Sequence, residues 1–256
     1  MESQHLAERW FRPLKRHASP FVRLLCFPHT GGAASFYRQW SDLVPDGVEL
    51  MAVRFPGRED RFAEPFARDI AELADPVAQA CRGLGDVPLA LFGHSMGASV
   101  AHEVAMRLNR DGRLAALFVS GRAGPGRQQT SNLAEASDEE LIKDISGLGG
   151  TSEEAFEDPE LRELLLPPIR ADYRITYHYV PSSGTPLSVP VTAYYGTEDK
   201  SAPEDAVQAW APVTRAAFST RSFPGNHFHL VDQLQPLIGD IFQRLDRLCG
   251  HSRSIA

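Results

Sequence analysis

Two kinds of segment alternate in the hydrophobic pattern of the chain. Short β-rich runs recur at Val22–Phe27, Val48–Val53, Val87–Phe92, Leu114–Ser120, Val189–Tyr195 and Ala216–Phe223, most of them near-continuously apolar. A strand with one wet face alternates apolar and polar residues, whereas a strand covered on both faces does not. Between the runs lie stretches of helical character at Ala34–Leu43, Phe66–Arg82, Met96–Arg110, Pro203–Trp210 and Leu230–Leu248. Strand then helix, repeated, predicts an α/β chain with a mostly parallel central sheet and helices on both faces.

The alternation breaks between about Gly124 and Pro190. Helix-forming blocks at Asp138–Ile145, Asp158–Leu166 and Ile169–Tyr179 are separated there by Gly149-Gly150 and Pro167-Pro168, with no good strand among them. We expect a single domain over 1–256 with a helical insertion at about 124–188. Such an insertion can be a solvated hairpin that only packs. It can also be a lid over the C-terminal ends of the strands, where α/β sheets bind ligands, and its placement favours the lid.

Composition narrows the classes. At 256 residues and 43% hydrophobic content, one large core and an inserted subdomain are affordable. No apolar stretch approaches the roughly eighteen residues of a membrane span, and Met1–Pro20 lacks a signal-peptide core, so export is not expected. Cys26, Cys81 and Cys249 form no paired spacing, which points to a reducing cytoplasm rather than a disulfide framework. A thiol nucleophile at Cys26 or Cys81 is the weaker reading. A net charge of −7 gives no footprint for nucleic acid. From Leu133 to Leu164 there are eleven acidic and two basic residues, a local charge of −9, so the remainder is mildly cationic. Solvated charge suggests a monomer.

The chemistry begins at Gly93-His94-Ser95-Met96-Gly97, which follows one predicted strand and opens a predicted helix. In that context the pentapeptide reads as a nucleophile elbow: a tight turn that lifts the serine hydroxyl above the sheet, with glycines where side chains would collide. A serine hydroxyl needs a base, and in this context the chain order is serine, acid, histidine. Asp199 closes a late strand in Tyr194-Tyr195-Gly196-Thr197-Glu198-Asp199, and His227 follows the next in Pro224-Gly225-Asn226-His227-Phe228-His229. Glu198 and His229 are their rivals. Asp199 has the shorter carboxylate and the Gly-x-x-Asp spacing, while His227 lies nearer the Gly225 turn, and His229 is expected to pack or face solvent. His94 is expected to point back into the sheet. Two histidines alone are thin coordination, so no metal is expected at His227-x-His229. The oxyanion hole needs two backbone N–H groups. Met96 should supply one, and the loop Phe27-Pro28-His29-Thr30-Gly31-Gly32 the other, at Thr30 with His29 as runner-up.

With these residues in place, the chain resembles the type II thioesterases that accompany polyketide synthases and non-ribosomal peptide synthetases, members of the α/β-hydrolase fold. The resemblance runs from about residue 22 to 245. It is carried by Cys26-Phe27-Pro28-His29-Thr30-Gly31-Gly32, Phe55-Pro56-Gly57-Arg58, the elbow, Gly225-Asn226-His227-Phe228, and two lid stretches. These are Leu148-Gly149-Gly150-Thr151 and Leu166-Pro167-Pro168-Ile169-Arg170-Ala171-Asp172-Tyr173. It implies cofactor-free hydrolysis of acyl groups from the phosphopantetheine arm of acyl or peptidyl carrier proteins, removing stalled or wrongly loaded units. Medium-chain fatty acyl thioesterases and general esterases of the same fold are the alternative. Because carriers are generally acidic around the arm, Arg58, Arg61, Arg170 and Arg174 are expected to form the docking surface.

Overall fold

The computed structural model describes residues 2–128, 132–150 and 153–250. Seven strands form one sheet: β1 (Phe11–Lys15), β2 (Val22–Phe27), β3 (Val48–Val53), β4 (Leu89–His94), β5 (Leu114–Ser120), β6 (Val191–Gly196) and β7 (Phe218–Phe223). Their order across the sheet is β1-β3-β2-β4-β5-β6-β7, with β1 antiparallel to β3 and every other pairing parallel. Successive side chains of a strand point to opposite faces. Leu25, Phe27, Leu89 and Leu91 therefore enter one core with Val77 of α2 (Ala71–Cys81) and Val104 of α3 (Met96–Leu108). Leu24, Cys26, Ala90 and Phe92 enter the other core. There they meet Leu237, Ile241 and Leu245 of the last helix (Leu234–Cys249). Each fully buried aliphatic side chain contributes about 1.5–3 kcal/mol, so two-sided burial is what holds these strands in the middle layer.

The order reverses at β2, which lies between β3 on one side and β4 on the other. Ligands of α/β sheets bind where the order reverses, between loops that leave neighbouring strand ends in opposite directions. The loop after β2 and the turn after β4 flank that crevice.

The fold departs from the sequence-based expectation at several elements. The polar, basic N-terminus forms α1 (Glu2–Trp10) and the edge strand β1, elements with little hydrophobic pattern of their own. Edge position suits Pro13, which has no N–H to donate, and the pairing of β1 with β3 shifts register between Pro13 and Lys15. The expected break at Pro167-Pro168 does not occur, because α5 runs continuously over Pro159–Tyr177. The prolines deprive the carbonyls of Glu163 and Leu164 of their usual donors, but both residues are exposed and water can take their place. Burial of Leu166, Pro168 and Ile169 on the other face keeps the helix in register. Finally, Pro203–Trp210 is a single turn, α6 (Glu204–Val207), followed by a 3-10 segment.

Between β5 and β6 lie α4 (Asp138–Leu148) and α5, with a small core of their own built from Leu141, Ile145, Phe156, Leu166 and Ile169. A Ser137–Glu140 capping box starts α4 and Gly149 at φ 85° ends it. Among the described residues no helix is long and apolar enough to cross a membrane. All three cysteines are buried and unpaired. Burial pushes the Cys26 thiol well above its usual range and Cys81 up to about 12. A thiol nucleophile at either position is thereby corrected, since the thiolate is the reactive form.

Candidate active site

Ser95 sits between β4 and α3 with φ 55° and ψ −122°, a backbone conformation that L side chains rarely adopt. The glycines on either side are required by contact. A Cβ at Gly93 would stand 2.2 Å from the Gly97 carbonyl oxygen, and one at Gly97 would stand 2.2 Å from that of Phe27. The elbow is thus wedged against the end of β2.

Asp199 follows β6 and His227 follows β7, and their side chains meet at 2.8 Å between Oδ2 and Nδ1. Both are buried. Burial raises the carboxyl pKa of Asp199, but hydrogen bonds from His227 and Ser201 outweigh it and hold the group below its ordinary range. An ionised carboxylate can only accept, so the proton of the imidazole lies on Nδ1 and Nε2 is left basic. Ser201 is the residue that sequence reasoning missed. Its hydroxyl donates to Asp199 Oδ1 at 2.6 Å and lies 3.0 Å from His227 Nδ1. Only its spacing of two from Asp199 could have pointed to it. Glu198 is exposed. His229 is fully buried, stacked on Phe223, with Nε2 3.3 Å from Ser120 Oγ. His94 Nδ1 lies 3.1 Å from the same hydroxyl.

In the loop after β2 the backbone donors are unequally free. Gly31 donates to Asp172 Oδ2 at 2.8 Å and Gly32 to the His29 carbonyl at 2.9 Å, whereas among the described residues the Thr30 N–H has no partner. Met96, as the first residue of α3, has no acceptor within the helix for its own N–H. Ser95, His227 and Thr30 line one cavity of about 210 Å³. Ile145 and Leu148 of α4, and Ile169, Tyr173 and Thr176 of α5, line it too, so the helical insertion supplies much of its wall. Gly31 packs so closely on Ile169 that a Cβ would fall 2.4 Å from its Cγ1, and Gly150 abuts Phe228 in the same way. Thr151, next in that stretch, lies outside the described residues.

The family model described as the thioesterase domain matches residues 22–245. The chain belongs to that family. Thioesterase PikA5 of Streptomyces venezuelae is 38% identical over 239 residues, which is 92% of this chain and 85% of PikA5. The solved type II thioesterase BorB of the borrelidin biosynthetic cluster superposes with a TM-score of 0.85 at 37% identity, covering 92% of this chain and 97% of BorB. The type II thioesterase YbtT of the yersiniabactin NRPS/PKS pathway gives 0.83 at 29% identity over 96% of this chain and all (100%) of YbtT. The thioesterase is accordingly a hydrolase of the serine type, on a mostly parallel α/β-hydrolase sheet.

The geometry revises the expected docking arginines of this thioesterase. Arg58 is buried, donating to both oxygens of Asp172 at 2.9 Å and to the Gly32 carbonyl at 3.0 Å. Arg61 is buried as well, held by Glu64 and by the Arg54 carbonyl, with its guanidinium 4.2 Å above the Trp10 ring. Arg170 is spent on the carbonyls of Ala134 and Ala136 and on Asp138. Only Arg174 stays exposed, 3.6 Å from Glu135. A loop arginine next to glycine looks solvated in sequence, and nothing there signals that a carboxylate 114 residues away will cover it.

The imidazoles around the site give the thioesterase a pH signature. Burial, with the neighbouring His227 adding to it, pushes His29 down to about 3, and burial pushes His229 down to about 4. A histidine whose folded pKa is depressed stabilises the fold fully above its unfolded pKa of about 6.5. That contribution is lost as pH falls towards the folded value, at about 1.4 kcal/mol per pH unit. His229→Gln should therefore flatten the fall in unfolding free energy between pH 6.5 and 5 by about 2 kcal/mol. Denaturant titration at the two pH values measures it, and an unchanged slope would mean that His229 does not stay neutral in the fold.

Proposed function

We propose that the chain is a type II thioesterase that releases acyl groups from the phosphopantetheine arm of acyl or peptidyl carrier proteins serving polyketide or non-ribosomal peptide assembly. Ser95 is the nucleophile, His227 its base and then its acid, and Asp199 fixes the imidazole tautomer and stabilises the imidazolium. The N–H groups of Met96 and Thr30 hold the oxyanion. Ser95 Oγ bonds to the thioester carbon as its proton passes to His227 Nε2. The C–S bond then breaks, and the thiolate leaves with that proton as a thiol. Water, deprotonated by His227, adds to the acyl-enzyme, and the acid departs as Ser95 recovers its proton. No cofactor takes part.

One observation supports this reading above the rest. The unpartnered Thr30 N–H, Ser95 and His227 share a cavity walled by α4 and α5, in a chain matched nearly end to end by type II thioesterases. On this reading the insertion acts as a lid, and the enzyme works as a cytoplasmic monomer with carrier proteins as partners.

The test is hydrolysis of one acyl group on a phosphopantetheinylated carrier and on a small thioester mimic. We expect kcat/KM to be at least about tenfold higher on the carrier, the gain that remote binding energy gives a cognate substrate. Equal rates, or rapid cleavage of oxygen esters with no response to the carrier, would overturn the carrier assignment. Activity confined to medium-length fatty acyl chains would favour a fatty acyl thioesterase instead.

A further inference from the structure

Arg122 stands in the cavity wall two residues past the end of β5. Register fixes its place. The Ser95 N–H donates to the Ser120 carbonyl at 2.8 Å, so Gly121 comes level with the elbow and Arg122 lies one residue beyond it. A Cβ at Gly121 would stand 3.3 Å from His227 Cε1, which sets this backbone against the imidazole. The Arg122 carbonyl accepts from the Trp210 indole at 2.8 Å, pinning the main chain.

The side chain is in an unusual position for an arginine. Arg23, Arg58 and Arg61, the buried arginines, each hold a carboxylate. Among the described residues the Arg122 guanidinium has neither an ion pair nor a hydrogen bond, and its Nε is shut off from solvent. Burial lowers its pKa to about 10, which leaves it charged at neutral pH. A half-buried cation whose Nε is closed to solvent and without a partner is costly. Asp144 lines the same cavity, where its Oδ2 accepts from the Tyr173 hydroxyl at 2.6 Å, and it forms no ion pair with Arg122. Two further polar atoms of this wall, Gln128 Nε2 and Thr176 Oγ1, are likewise closed to solvent and without partners. Arg122 and Gln128 precede α4 and Thr176 lies near the end of α5, so two separate segments bring donors to one cavity, and among the described residues none of the three is paired with a carboxylate.

We propose that Arg122, Gln128 and Thr176 form a subsite for a carboxylate carried on the acyl chain, so that the enzyme accepts short dicarboxylic half-thioesters. The inference rests on the carrier-thioesterase reading given above. The other anion of such a substrate, the phosphate of the arm, sits at the far end of the pantetheine from the sulfur. Arg122 lies in the cavity wall one residue from the level of the nucleophile, so on this proposal it meets the acyl chain rather than the phosphate. The carboxylate is a spectator in the reaction: water supplies oxygen to the thioester carbon, the C–S bond breaks, and a thiol and a dicarboxylate result.

The test compares succinyl with its uncharged half-amide, succinamyl, on one phosphopantetheinylated carrier. The native enzyme, Arg122→Met and Thr176→Val are assayed in parallel. The native enzyme should prefer succinyl by about tenfold or more in kcat/KM, as expected when a site built to pair a charge meets a substrate lacking it. Arg122→Met should bring the ratio to near one, and Thr176→Val should move it part of the way. A native ratio near one, or a ratio that Arg122→Met leaves unchanged, would overturn the subsite. The same pair on pantetheine lacking the phosphate separates the two anions. A loss in Arg122→Met confined to phosphate-bearing substrates, whatever the acyl group, assigns the charge to the arm and also overturns it. Native hydrolysis of succinamyl without preference would leave the thioesterase reading standing while the subsite falls. Failure on every carrier-bound thioester would sink that reading itself.

Discussion

Replacing Ser95 with alanine should lower kcat/KM by about ten-thousand-fold or more, the scale seen when a triad nucleophile is removed. Residual turnover would come from the oxyanion donors and binding alone. The same position gives a second, independent readout, because Ser95 holds φ 55°. Strain of this kind costs about 1–3 kcal/mol, and a β-carbon is its cause. Ser95→Ala keeps the β-carbon and should leave stability nearly unchanged, whereas Ser95→Gly should gain about 1 kcal/mol while being equally inactive. Activity assays with denaturant titration on both variants distinguish a strained nucleophile from a serine that only caps a turn. Substantial hydrolysis by Ser95→Ala would remove Ser95 from the mechanism.

The Arg58–Asp172 pair carries the second large effect. Its side chains are 9% and 4% exposed, and removing one partner leaves an uncompensated buried charge worth about 3–5 kcal/mol. In a chain of this length that lowers Tm by about 6–20 °C. Asp172 also accepts from Gly31, and Arg58 donates to the Gly32 carbonyl, so the loop carrying Thr30 depends on both. Asp172→Leu and Arg58→Met should each be unstable and slow. The double variant should recover much of the lost stability, because no charge is then left unpaired. Its kcat should stay low by about a hundredfold, since the loop has lost its supports and small misplacements are expensive. Recovery of kcat along with Tm would reduce the pair to a structural brace.

The parallel core was legible because burial on both faces leaves runs such as Val22–Phe27 apolar throughout. The elbow was legible because its glycines are dictated by backbone contact. The edge strand β1 was not, since an edge strand needs only one buried neighbour and its residues are mostly half-buried. Asp199 and His227 could be singled out by their places at strand ends. Ser201 offered only its spacing from Asp199, while Asp172 meets Arg58 and Gly31 and Arg122 meets the α5 wall only through the fold, and local pattern carries no trace of such neighbours.

The small core of the insertion is separate from the two cores that clamp the sheet, and α4 carries its own cap at each end. Substitution at Ile145, which belongs to the insertion's own core, can therefore reshape the cavity wall without disturbing the strands that hold Ser95 and His227. Chemistry and cavity shape are in this sense set by separate parts of the fold: the strand ends fix the first, and the inserted helices tune the second.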